Sequence, residues 1–128
     1  MTTPGEAPAP RVVVLADDLI WATRLAGLLR AAGAVPVPAR DATSFEAALA
    51  GVHLAIVDLT ARAYDGVAAV AAARAAGAEV ACLAQHDDAS LRRAARTAGA
   101  GLVLPYRKVA EGGAAVLAAW LALPGATG

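Results

Sequence analysis

The sequence predicts an α/β fold, five parallel strands alternating with five helices that cover both faces of the sheet. Three observations carry this. Short apolar runs rich in β-branched residues recur along the 128-residue chain, as expected of strands buried on both faces. Segments with helical spacing separate them. Short turns join the two kinds, and two strands, the first and the third, end at an acid.

The elements follow in order. Residues 1–10, MTTPGEAPAP, are rich in proline and small residues and are expected to be a disordered lead-in. RVVVLADD is the first strand, ending at Asp17 and Asp18. Trp21, Leu25, Leu28 and Ala32 then share one helical stripe, and Gly33 supplies the stop. AVPVP follows as a strand whose prolines, Pro36 and Pro38, are two apart. Their missing N–H groups face one side, which an edge strand tolerates and a central strand does not. TSFEAALAG is a short helix with Thr43 or Ser44 as its cap and Phe45 and Leu49 facing in. HLAIVDL is the third strand, and GVAAVAAARAAG a helix stopped at Gly77. EVACLAQ is the fourth strand. In DASLRRAARTAG, Leu91, Ala94, Ala95 and Ala98 face in, and Arg92, Arg93 and Arg96 face out. AGLVLP is the fifth strand and residues 112–123 the fifth helix, leaving 124–128 as a tail. The folded part is thus residues 11–123. Right-handed crossovers and an edge position for the second strand fit the flavodoxin-like strand order 2-1-3-4-5.

Composition narrows the function. With 59% hydrophobic and 17% charged residues the chain is globular rather than disordered. Eleven basic and eleven acidic side chains cancel, so neither nucleic acid nor an anionic membrane is predicted as a partner. The single cysteine, Cys82, excludes a disulfide framework and fits a reducing cytosol. The longest uncharged apolar stretch, residues 112–125, is too short to span a bilayer. A cytoplasmic protein is expected. No P-loop, dinucleotide, nucleophile-elbow or zinc-ligand spacing occurs, and no substrate pocket for a metal-dependent enzyme is evident, so no enzymatic activity is expected.

The acids carry the chemistry. In a sheet of this kind the carboxyl ends of the first and third strands meet where the topology switches. Asp17, Asp18 and Asp58 therefore share one rim. Three carboxylates close together repel unless a hard divalent cation or a raised pKa offsets them. The alternative for Asp17 or Asp18 is a simple helix cap. It leaves Asp58 unexplained.

VVVLADD, AIVDLTARAYDG and RTAGAGLVLPY resemble the receiver domain of bacterial two-component response regulators. The resemblance covers about residues 11–123, and Asp58, Asp65 and Gly66 meet the family's D-x6-DG spacing. It implies that Asp17, Asp18 and Asp58 form a Mg²⁺ site with the backbone carbonyl of Thr60, and that Asp58 accepts a phosphoryl group from a histidine kinase. Other positions depart from the family. The hydroxyl residue that ends its fourth strand is Ala84 here, its lysine after the fifth strand is Tyr106, and its aromatic switch residue is Val103. Tyrosine is neutral at pH 7 and cannot supply the missing cation. Arg107 or Lys108 would substitute if the alignment shifted by one or two residues. Losing one preorganised donor costs about 3–4 kcal/mol of transition-state stabilisation. A degenerate, pseudo-receiver module acting by protein–protein contact is therefore expected ahead of a working phospho-switch. With no output domain in the sequence, the resemblance implies a stand-alone module.

Other residues have plainer readings. His86, beside Asp87 and Asp88, is a metal ligand or, more simply, a solvated loop residue. His53 is structural, Arg62 a surface arginine near Asp58, and Cys82 a core residue. In the last helix Val116, Leu117, Trp120, Leu121 and Leu123 form a broad apolar stripe with no charged face. The stripe predicts a second contact, with a twin subunit or another protein, unless it reflects an alanine-rich composition. Receivers often dimerise through the face made by the fourth helix, fifth strand and fifth helix, so the resemblance also points to a homodimer.

Overall fold

The computed structural model describes residues 8–123. The predicted tails therefore lie outside the described residues, except for residues 8–10. Strands β1 (Arg11–Leu15), β2 (Val35–Ala39), β3 (Leu54–Asp58), β4 (Glu79–Ala84) and β5 (Leu102–Pro105) alternate with helices α1 (Leu19–Ala31), α2 (Ala42–Ala48), α3 (Gly66–Ala75), α4 (Ala89–Ala98) and α5 (Tyr106–Leu121). The sheet order is β2-β1-β3-β4-β5, and every pairing is parallel. This is the predicted flavodoxin-like α/β architecture. β2 lies at the edge, as its two prolines require. The amide of Val35 turns back to the carbonyl of Pro10, at 2.8 Å.

Period-two alternation along the strands divides the core. Val13, Leu15, Val57 and Cys82 face the layer that includes Phe45, Val70 and Ala95. Val12, Val14, Ile56 and Leu83 face Leu25, Leu29, Leu117 and Trp120. All five residues of β3 are buried, Asp58 included.

The structure corrects several local expectations. Asp41, not Thr43 or Ser44, caps α2, because the helix starts at Ala42. Its carboxylate accepts from the Ser44 amide at 2.8 Å, and Ser44 completes a capping box. In α4, Ala95 is buried while Ala94 is exposed and Arg92 is half-buried. The last helix begins at Tyr106 and is broken at Gly112, so Arg107, Lys108 and Glu111 supply the polar face that residues 112–123 lack. Most of the apolar stripe faces the core of the domain. Leu117, Trp120 and Leu121 are buried in the core between α5, α1 and the sheet, and Val116 packs half-buried against it. Leu123 alone of that stripe is largely exposed.

Candidate functional site

The three predicted acids do border one cleft of about 580 Å³, lined by Asp17, Asp18, Trp21, Asp58, Thr60, Arg62, Gln85 and Tyr106. The carboxyl ends of β1 and β3 create it, together with the first turns of α1 and α5. Each acid is nevertheless engaged in its own way.

Asp18 is the cap of α1. Its Oδ1 accepts from the amides of Ile20 at 2.8 Å and Trp21 at 3.1 Å. Asp17 ties the β3–α3 loop to β1, its Oδ2 accepting from the amides of Arg62 at 2.9 Å and Ala63 at 3.0 Å. Those bonds, Ala63's first, hold the Asp17 carboxyl below the ordinary carboxylate range.

Asp58 ends β3 and is only 3% exposed. Its Oδ1 accepts from the Thr60 amide and the Thr60 hydroxyl, both at 3.1 Å, and from the Tyr106 hydroxyl. Tyr106 and Thr60 also hydrogen-bond each other, so two hydroxyl protons serve a triangle of three oxygens. No hydrogen bond falls on Asp58 Oδ2 among the described residues. Burial, and then the bond to Asp58, push the Tyr106 phenol above its ordinary value. It is therefore a neutral donor at physiological pH.

Tyr64 holds the same corner from below. Its hydroxyl reaches the carbonyls of Leu15, at 3.0 Å, and Asp58, at 2.6 Å, linking the ends of β1 and β3. Burial and the neighbouring Asp58 charge raise its pKa. Asp65 serves α3 as a cap, accepting from Ala68 at 3.1 Å. Gly66 follows because a Cβ there would lie 2.9 Å from the Leu59 Cα. The D-x6-DG spacing thus has a packing reason here.

The three acids share one cleft, and each already accepts hydrogen bonds from the protein. Among the described residues no three His, Cys, Asp or Glu side chains converge as metal ligands. Each acid uses one oxygen, Asp18 Oδ1 on its helix, Asp17 Oδ2 on two amides and Asp58 Oδ1 on three donors, and the other carboxylate oxygens accept no hydrogen bond among the described residues. Thr60, expected to offer its carbonyl, also contacts Asp58 through its amide and hydroxyl.

The switch positions separate. Ala84 is fully buried at the tip of β4, in register with Pro105. Val103 is buried in the core. Tyr106 reaches Asp58, and neither Arg107 nor Lys108 lines the cleft. Both are exposed, with Arg107 4.0 Å from Glu111. Among the described residues, Arg62 is the basic residue that lines the cleft. His86 is exposed and its carbonyl accepts from Arg92 at 3.0 Å, while His53 stands exposed at the other end of β3. The roles of Tyr64, Gln85 and the Thr60 side chain escaped the sequence reading. An aromatic residue in the polar loop TARAYDG was the signal for Tyr64, whereas nothing marked Gln85.

No protein-family model and no curated protein sequence matches the chain. Solved structures do. A CheY-like response regulator receiver domain protein from Methanospirillum hungatei aligns at TM-score 0.68 and 16% identity, over 80% of this chain and 89% of that one. NtrX from Brucella abortus aligns at TM-score 0.78 and 22% identity, over 93% of this chain but only 28% of its own length. A response regulator from Burkholderia pseudomallei aligns at TM-score 0.68 and 18% identity, over 88% and 73% of the two chains. The chain therefore has the CheY-like receiver fold of response regulators.

Proposed function

We propose that the chain is a receiver-type signalling domain that works by protein–protein contact, with Asp58 held covered rather than cycling through phosphorylation. One observation carries this reading. The Tyr106 hydroxyl, in the place of the family's lysine, is bonded to Asp58 Oδ1 and to Thr60. A phosphoryl acceptor needs cationic stabilisation of the transferring group. Here a neutral phenol supplies one donor, Ala84 supplies none, and Asp17 and Asp18 are committed to backbone amides. The partner is a protein, and the domain acts by contact and not by turnover.

A second reading has one specific support. Asp58 Oδ2 carries no hydrogen bond, and the Burkholderia pseudomallei relative is described with a phosphorylated aspartic acid and a calcium ion. On that reading Asp58 is phosphorylated by a histidine kinase, with Mg²⁺ drawn into a rearranged cleft. Incubation with an acyl phosphate and Mg²⁺, followed by intact-mass measurement, separates the two. No phosphate adduct on the wild type, with an adduct gained in Tyr106→Lys, supports the covered state. A wild-type adduct that Asp58→Asn abolishes refutes it.

A further inference from the structure

We infer that Trp21 is the positioning residue that keeps Tyr106 closed over Asp58, so that the first turn of α1 acts as a gate on the acid. This inference rests on the reading that Tyr106 covers Asp58, and adds how the cover is held.

The turn carrying Tyr106 is weakly fixed by its own helix. Pro105, its N-cap, provides no side-chain cap, and Gly112 interrupts the helix at φ −170° and ψ 33°. Residues 106–111 are thus separated from the longer half of α5. Below, Val109 anchors this turn in the core. Above, the Tyr106 ring lies against Trp21, their centroids 4.8 Å apart and their planes tilted by 52°. The separation lies in the range aromatic pairs favour, with a tilt between offset stacking and edge-to-face. The Arg24 guanidinium rests 4.9 Å from the centre of the Trp21 ring. Arg24 makes no ion pair among the described residues, and Trp21 is its observed neighbour. Trp21 is itself set by Asp18, which accepts from its amide.

The members form one line: Asp18 fixes Trp21, Trp21 backs Tyr106, and Tyr106 covers Asp58. In this chain the second acid of the β1 pair acts on Asp58 through two aromatic rings, with no shared cation. An aromatic pair of this kind shifts an equilibrium by about two- to tenfold, and that is the expected change in the open population when Trp21 loses its ring.

Carbodiimide coupling of glycine ethyl ester, mapped by mass spectrometry, reads the exposure of each carboxylate. Asp58 labelling rises about two- to tenfold in Trp21→Ala and returns to the wild-type level in Trp21→Phe, which keeps a ring against Tyr106. Asp65 and Asp88, which cap other helices, keep their wild-type labelling in both. Equal Asp58 labelling in wild type and Trp21→Ala, beside raised labelling in Tyr106→Ala, overturns the gate while Tyr106 still covers Asp58. Labelling that rises in none of the variants overturns the covering itself. A rise at every carboxylate in Trp21→Ala, or an equal rise at Asp58 in Trp21→Phe, also overturns the gate.

Discussion

Replacing Asp18 distinguishes its two possible roles. As the α1 cap, its carboxylate satisfies the Ile20 and Trp21 amides, which no helical carbonyl reaches. Truncation to alanine at an N-cap costs about 1 kcal/mol, whereas asparagine caps nearly as well as aspartate. For a domain of this size, 1 kcal/mol corresponds to about 4 °C in Tm. Asp18→Ala is therefore expected to melt about 4 °C below the wild type, and Asp18→Asn within about 1 °C of it. Calorimetry with and without Mg²⁺ is the assay. A ligand that binds the folded state raises Tm in proportion to its occupancy. The cap account predicts that Mg²⁺ shifts none of the three proteins. Two results refute it: Asp18→Asn falling as far as Asp18→Ala, or a Mg²⁺-dependent rise in the wild type that Asp18→Asn removes.

Two further predictions concern the loop beneath Asp58. Gly66→Ala presses a methyl against the Leu59 backbone at 2.9 Å, so the chain next to Asp58 must shift. A loss of about 1–3 kcal/mol in urea unfolding is expected. The Asp17 carboxyl, whose folded-state pKa is lowered, contributes stability that is present above its unfolded value and lost as pH falls through the lowered folded one. In urea titrations across pH, the advantage of wild type over Asp17→Asn should therefore be full near neutrality and shrink below about pH 4.

Much of the fold was legible because its signals are periodic. Val12, Val14 and Ile56 fall on one face and Val13, Leu15 and Val57 on the other, and only a doubly covered sheet buries both sets. Pro36 and Pro38 located the edge through missing donors. Less was legible in the site. Asp17, Asp18 and Asp58 were placed correctly at one rim, yet their partners were not, because backbone amides carry no sequence signature. Asp18 as a cap and Asp18 as a metal acid look identical in ADDLIW, and only the structure reveals the cap bonds. The stripe through Leu117 and Trp120 misled for a related reason. Residues 112–123 omit Arg107, Lys108 and Glu111, so a core-facing helix looked apolar all round. Tyr106 became interpretable only once its ring was seen between Trp21 and Asp58, contacts that span 85 positions of the chain at most.

The bond between Tyr106 and Asp58 is the centre of this account, and a double-mutant cycle measures it directly. Tyr106→Phe, Asp58→Ala and the double variant are compared with wild type by urea unfolding. Hydrogen bonds to charged groups contribute about 1.5–3 kcal/mol, and contacting residues couple on the same scale. The account predicts a coupling energy of about 1 kcal/mol or more. Single effects that add to within about 0.5 kcal/mol would contradict it, because the two side chains would then be independent in solution.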